Sequence, residues 1–214
     1  MKVNGRLLPH LIIAVLICSV TYAGKDGELY RAASKGKADR VRTLIAEGAD
    51  PNWTSKTGET PLLIATHKGH RDVVGVLIEA KADLNHARNS GATALLLASG
   101  LDHDEILLAL LKAGANPNVT LSSGMNPLFK ASGKGHLKIV QALLDAKADP
   151  NARLNNGMTP LYIATRERRI DVVQALLNAN ADPNLADNRG VTPRQLARKS
   201  LSKKLIELLV IPFI

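Results

Sequence analysis

His67 and His70 stand three residues apart, a spacing at which two imidazoles could ligate a metal. Asn52-Trp53-Thr54 and Asn118-Val119-Thr120 fit the acceptor pattern for N-linked glycosylation. Cys18, the only thiol, invites a lipidation reading. Each chemistry fails on its surroundings. His70 recurs as His103 and His136 at intervals of 33 residues, so it belongs to a framework and no metal site is assigned. Asn52, Asn85, Asn118, Asn151 and Asn184 recur at the same interval, which makes the two Thr placements coincidental. Ile17 is bulky where lipoprotein processing takes a small residue before the cysteine. No Ser, His and Asp set or Cys and His pair rises above what the repeat itself produces, and no Gly-rich phosphate loop lies between a strand and a helix. The chain therefore reads as non-enzymatic, without catalytic or cofactor-binding residues.

The elements behind these residues repeat at one fixed spacing. Thr60-Pro61-Leu62, Thr93-Ala94-Leu95, Asn126-Pro127-Leu128, Thr159-Pro160-Leu161 and Thr192-Pro193-Arg194 each begin 33 residues after the last. The Thr or Asn oxygen caps the first free N–H groups of a helix, and Pro suits the position after it, where no donor is needed. A short helix then runs to a stop such as Gly69 or Gly135, glycines that reverse the chain at positive φ. A second helix follows. Its stripe Val73, Val74, Leu77 and Ile78 recurs as Ile106, Leu107, Leu110 and Leu111, as Ile139, Val140, Leu143 and Leu144, and as Val172, Val173, Leu176 and Leu177. That is a helix buried on one side. Turn sequences of the Gly48-Ala-Asp-Pro-Asn52 type lead into a projecting hairpin whose tip precedes Gly58, Gly91, Gly124, Gly157 or Gly190.

Over residues 25 to 211 the chain resembles the ankyrin-repeat family. The resemblance implies an all-α repeat solenoid with β-hairpin loops, here about six units with terminal caps: residues 24–54, 55–87, 88–120, 121–153, 154–186 and 187–214. The His that the family often carries after Thr-Pro-Leu is replaced by Leu63, Leu96, Phe129, Tyr162 and Gln195, where apolar packing is expected to replace a hydrogen bond. Lys81, Lys147 and Asn180 stand where Gly48 and Gly114 supply an easy helix stop, and a left-handed Lys costs about 1 kcal/mol. An open stack turns each terminal repeat to water on one face, which fits Arg40 and Thr43 in phase with Val73 and Val76. At the other end a helix through Leu205, Ile206, Leu208 and Leu209 leads into the apolar tail Val210 to Ile214, expected to fold over the end of the stack, with a contact surface as the alternative.

Ahead of the repeats, basic Lys2 and Arg6, the apolar run Leu11 to Val20 and the small-residue site Thr21-Tyr22-Ala23 before Gly24 read as a secretory signal over residues 1–23, cleaved between Ala23 and Gly24. An uncleaved anchor starting at Leu7 is the alternative. Cleavage removes the only cysteine and two of the basic residues, lowering the formal charge from +9 to +7. An exported chain without thiols relies on stacked apolar helices alone.

The resemblance also implies that partners lie on a concave face built from the hairpin tips and the exposed sides of the first helices. By phase, the first repeat contributes Lys35, and the second Lys56, Thr57, Glu59, His67 and Lys68. The third contributes Asn89, Ser90 and Leu101, and the fourth Ser122, Ser123, Met125 and Lys134. From the fifth come Asn155, Asn156, Met158, Arg166 and Glu167, and from the sixth Asn188, Arg189 and Lys199. Cations outnumber carboxylates on this face, and the two methionines stand one repeat apart. Such a face suits a protein partner with an acidic surface: adaptable Met contacts at the centre, and Lys or Arg aiding encounter. Trp53, the only Trp, is either an exposed contact or pinned beside the second hairpin. Nucleic acid is disfavoured, because the basic residues are not interleaved with stacking aromatics. The chain is expected to be a monomer on its own, with no transmembrane span once the signal is removed. The loop style resembles bacterial members, which points to the periplasm, as scaffold or as inhibitor of another exported protein. Secretion as an effector that captures a host protein, and immunity against a periplasm-acting toxin, are the competing readings.

Overall fold

The computed structural model describes residues 24–101, 103–200 and 202–210, all discussed below. The expected signal segment 1–23, with Ala23 of its cleavage site, and tail residues 211–214 lie outside the described residues; Gly24 opens the first helix.

Six helix pairs stack in one row. They are α1 (24–34) with α2 (Ala38–Ala46), α3 (Pro61–Lys68) with α4 (Arg71–Glu79), and α5 (Ala94–Ala98) with α6 (Asp104–Lys112). The other three are α7 (Pro127–Lys134) with α8 (Leu137–Asp145), α9 (Pro160–Arg166) with α10 (Ile170–Asn178), and α11 (Pro193–Lys199) with α12 (Lys203–Leu209). Odd-numbered helices pack on odd-numbered ones in an inner row, and even on even in an outer row. The sequence enforces this division. Inner helices are covered on several sides, so Pro61 through Thr66 of α3 are all buried. Outer helices bury one stripe, such as Val73, Val74, Val76 and Leu77 of α4. The core is a continuous strip from Leu29 to Leu209 with no single centre.

The inner helices from α3 onward begin as their caps dictate. The side-chain oxygens of Thr60, Thr93, Asn126, Thr159 and Thr192 accept from the backbone N–H three residues on, and at Thr192 the Gln195 side chain reaches back to complete a capping box. Gly69 and Gly135 end their helices at φ 76° and 86°. Lys81, Lys147 and Asn180 adopt positive φ as the phase requires. Arg168 (φ 56°) joins them at the position of Gly36, Gly69 and Gly135, a helix stop without glycine that the sequence did not signal. The framework histidine has a packing reason. His70 contacts the Ser34 carbonyl at 3.1 Å, and its ring lies where a Cβ on Gly36 would stand.

Between repeats the chain projects five fingers, residues 55–59, 88–92, 121–125, 154–158 and 187–191. Each is closed by one backbone bond between its end residues, for example Ser55 N–H to the Glu59 carbonyl at 2.9 Å, around a glycine at positive φ. The described residues contain no strand, in contrast to the expected β-hairpins. The residues before each finger are spent on a turn instead: Asp50 accepts from Asn52 N–H, and Asp83, Asn116, Asp149 and Asp182 act likewise. The residue after it is the next helix cap. No second ladder pair can form.

The recurrent asparagines link these turns. Asn52, Asn85, Asn118 and Asn151 each accept from the backbone N–H of Asp83, Asn116, Asp149 and Asp182 one repeat on, and the Asn118 amide also donates to the Lys147 carbonyl. At the first end of the stack Arg40 and Thr43 face solvent, and Arg40 pairs with Glu28 at 2.8 Å. At the other end Leu205, Leu208 and Leu209 are buried, and Arg194 holds the Leu209 carbonyl at 2.8 Å.

Candidate functional site

The fingers and the free ends of the inner helices form one face. On it Lys35, Lys56, Thr57, His67 and Lys68 are exposed, as are Asn89, Ser90, Leu101, Ser122 and Ser123. Lys134, Asn155, Asn156, Arg166 and Glu167 are exposed too, as are Asn188, Arg189 and Lys199. Glu59, Met125 and Met158 are half-buried.

Many of these side chains have internal work. Glu59 accepts from the Tyr30 hydroxyl at 2.8 Å and lies 3.5 Å from the Arg88 guanidinium. Burial, then this bond, push the Tyr30 phenol up to about 12. Tyr162 repeats the device at the other end. Its hydroxyl donates to Asp187 Oδ2 at 3.0 Å, and Arg189 bonds the same oxygen at 2.9 Å. The Val191 N–H, with Arg189 and Tyr162 assisting against the opposing effect of burial, draws the Asp187 carboxyl down to about 2. Hydrogen bonding has thus not been abandoned at the position after Thr-Pro-Leu. Leu63, Leu96 and Phe129 pack there, whereas Tyr162 bonds to a finger and Gln195 to its own helix start. Trp53 is half-buried against the Tyr30 ring, 5.7 Å between centroids.

The finger tips are stitched to one another. The amides of Asn89, Asn155 and Asn188 donate to the carbonyls of Lys56, Ser122 and Asn155, and the backbone N–H groups of the same three residues donate to Thr57, Ser123 and Asn156. One junction departs from this pattern. Ser122 occupies the phase of those asparagines and has no amide, and neither its N–H nor the carbonyls of Asn89 and Ser90 has a protein partner among the described residues. There Leu121 Cδ2 lies 3.2 Å from where a Cβ on Gly91 would stand, whereas Gly58 and Gly157 meet the oxygens of Asn89 and Asn188.

Beside that junction the face opens into a cavity of about 440 Å³. Leu96, Leu121, Met125, Phe129 and Ile163 supply its apolar surface, and Lys130, Lys134 and Glu167 stand at it. Gly133, in phase with the exposed Arg166, lines this space without a side chain, whereas over Gly100 the Lys130 stem and ammonium lie where a Cβ would stand. Lys130 is the anomaly. Its phase partners are Ile64, Leu97, Ile163 and Leu196. Burial, then the neighbouring charges of Lys134 and Arg88, hold the Lys130 ammonium below its usual range.

The balance of charge on this face is more positive than the residue types alone convey. Glu59 is tied to Tyr30 and Arg88, and Glu167 to Arg166 at 3.1 Å. Among the described residues, Lys35, Lys56, Lys68, Lys130, Lys134 and Lys199 have no carboxylate within ion-pair distance. Sequence reasoning placed Met125 and Lys134 on the face but missed Leu121, Lys130 and Ile163. The signal for Lys130 was present, a cation breaking an aliphatic column. Among the described residues no cluster of three metal-ligating side chains occurs, and no helix is long and apolar enough to cross a membrane.

The family model for ankyrin repeats (three copies) matches residues 29–120 and 114–187. No curated protein matches the chain.

Proposed function

The chain belongs to the ankyrin-repeat family, and from that premise we propose that it is a non-enzymatic protein-binding module that engages an acidic protein partner through the face of its fingers and inner helices. The supporting observation is the pairing pattern: both candidate carboxylates on that face are paired within the chain, and six lysines have no carboxylate partner among the described residues. Charges already paired within the chain add little to such a surface, whereas unpaired lysines on it accelerate encounter with an acidic partner and orient it. The basic start and apolar run of residues 2–20 support export, with the periplasm as the compartment and scaffolding or inhibition of another exported protein as the role.

Affinity purification of residues 24–214 from an envelope extract of the source cell identifies the partner. Association is then measured for the wild type and for Lys56→Glu with Lys68→Glu. The double variant should associate about tenfold more slowly at low salt and with a shallower salt dependence. An unchanged association rate refutes the electrostatic reading of the face.

A further inference from the structure

We propose that the junction between the second and third fingers, with the adjoining cavity, binds an exposed segment of the partner polypeptide in which a large apolar side chain stands beside a carboxylate. The inference rests on the reading of this face as a protein-binding surface and adds what the bound segment must look like.

Three independent features converge here. The cavity is lined by Leu96, Leu121, Met125, Phe129 and Ile163, and about 440 Å³ holds one large aliphatic or aromatic side chain with room for Met125 to adapt. An apolar side chain entering it removes water from surface that the free protein leaves wet.

Charge supplies the second requirement. Lys130 lies at that surface with its ammonium partly stripped of water, repelled by Lys134 and Arg88, and with no carboxylate among the described residues to compensate. Of the neighbouring carboxylates, Glu59 serves Tyr30 and Arg88, and Glu167 serves Arg166. A carboxylate brought by the ligand meets a cation that has already lost part of its hydration, so the bond forms at reduced desolvation cost.

Main-chain groups supply the third. At the three stitched junctions the tip donors and acceptors are consumed by the next finger. Between Ser90 and Ser122 one N–H and two carbonyls, all on exposed residues, have no protein partner among the described residues, beside Leu121, itself part of the cavity wall. A polypeptide in extended conformation offers both donors and acceptors along its backbone, as in other cases where a peptide pairs with unsatisfied backbone. A fatty acid would satisfy the cavity and Lys130 and leave these groups unmet, so the observations favour a peptide.

The probe is a phage-displayed library of random dodecapeptides selected on the chain, followed by calorimetry with the best synthetic peptide. The expected consensus places Leu, Ile, Phe or Met within two residues of Asp or Glu. Changing that acidic residue of the peptide to its amide should weaken binding about tenfold to the wild type and leave binding to Lys130→Leu unchanged. Ser122→Asn, which supplies the amide that stitches the other junctions, should fold normally and weaken the peptide about tenfold. A consensus without an acidic preference, the same acid-to-amide loss on Lys130→Leu as on the wild type, or full affinity in Ser122→Asn overturns the proposal. The natural partner separates this inference from the function it rests on. If Lys56→Glu with Lys68→Glu weakens that partner but Lys130→Leu and Ser122→Asn do not, the face binds protein and the anchor site is wrong. If none of the three matters, the binding face itself is wrong.

Discussion

Lys130→Leu should make the free protein more stable. In the column it belongs to, Ile64, Leu97 and Ile163 are all under a tenth exposed and Leu196 is half-buried, so the backbone there already accepts an aliphatic side chain. Fully burying a leucine contributes roughly 1.5–3 kcal/mol. Lys130 is half-buried, and its methylene stem already covers part of the same surface, so about half of that range is recovered, on the order of 1 kcal/mol. For a chain of this size that corresponds to a rise of about 2–4 °C in Tm. Urea unfolding followed by far-UV circular dichroism should show a higher midpoint at unchanged slope. Salt gives a second reading. Screening relieves the repulsion among Lys130, Lys134 and Arg88, so added NaCl should stabilise the wild type more than the variant. Exposed Lys134→Leu is the control and should change stability by less than about 0.5 kcal/mol. A midpoint for Lys130→Leu equal to or below the wild type refutes the reasoning, since it would mean that the ammonium is better accommodated than its surroundings imply.

Thr159→Ala removes a cap hydroxyl that is 1 % exposed and bonds the Tyr162 N–H, and should cost about 1 kcal/mol in urea unfolding without altering partner affinity. Ser132→Ala should be neutral or stabilising by up to about 1 kcal/mol, because the Ser132 hydroxyl is fully buried with no hydrogen-bond partner among the described residues; a loss of stability would reveal one. Asp187 sets an acid limit. Its carboxyl is lowered to about 2 in the folded chain, so the stability it contributes is present above the ordinary carboxylate value near 4 and is lost as pH falls from there towards 2. Asp187→Asn should flatten the acid side of the stability profile over that window, measured by thermal unfolding at a series of pH values.

The repeat was legible because its framework is local chemistry copied at one period. Thr60, Asn126 and Thr159 announce helix starts through the donors they satisfy, and the left-handed Lys81 and Lys147 could be placed by phase alone. Positions decided by tertiary partners were not legible. Arg168 stops a helix without glycine. Tyr162 looked like apolar filling because its acceptor, Asp187, lies 25 residues away on a finger. The fingers resembled hairpins in sequence, but the chain on either side is committed to an Asx turn and a helix cap, which leaves one closing bond.

The candidate site follows the same logic in reverse, because it lies where the period breaks. A side chain that repeats every 33 residues is tied to a neighbouring repeat, as Asn52 is to Asp83 and His70 to Ser34, and has little freedom left for a ligand. Asn89, Asn155 and Asn188 illustrate this: they face solvent at finger tips, yet each donates its amide to the preceding finger. Ser122 in their place frees a backbone donor and two acceptors, Gly133 brings no side chain to the cavity wall, and Lys130 puts a cation into an aliphatic column with its stem laid over Gly100. Loss of the stitch at one junction costs the stack little, since the fingers on either side remain bonded and the helix rows beneath run on unbroken. Framework repeats therefore supply rigidity, and the irregular third and fourth repeats supply unsatisfied groups. A repeat array can carry such local deficits because stability is summed over neighbours, so a ligand that fills the gap gains affinity from groups the fold has left unpaired.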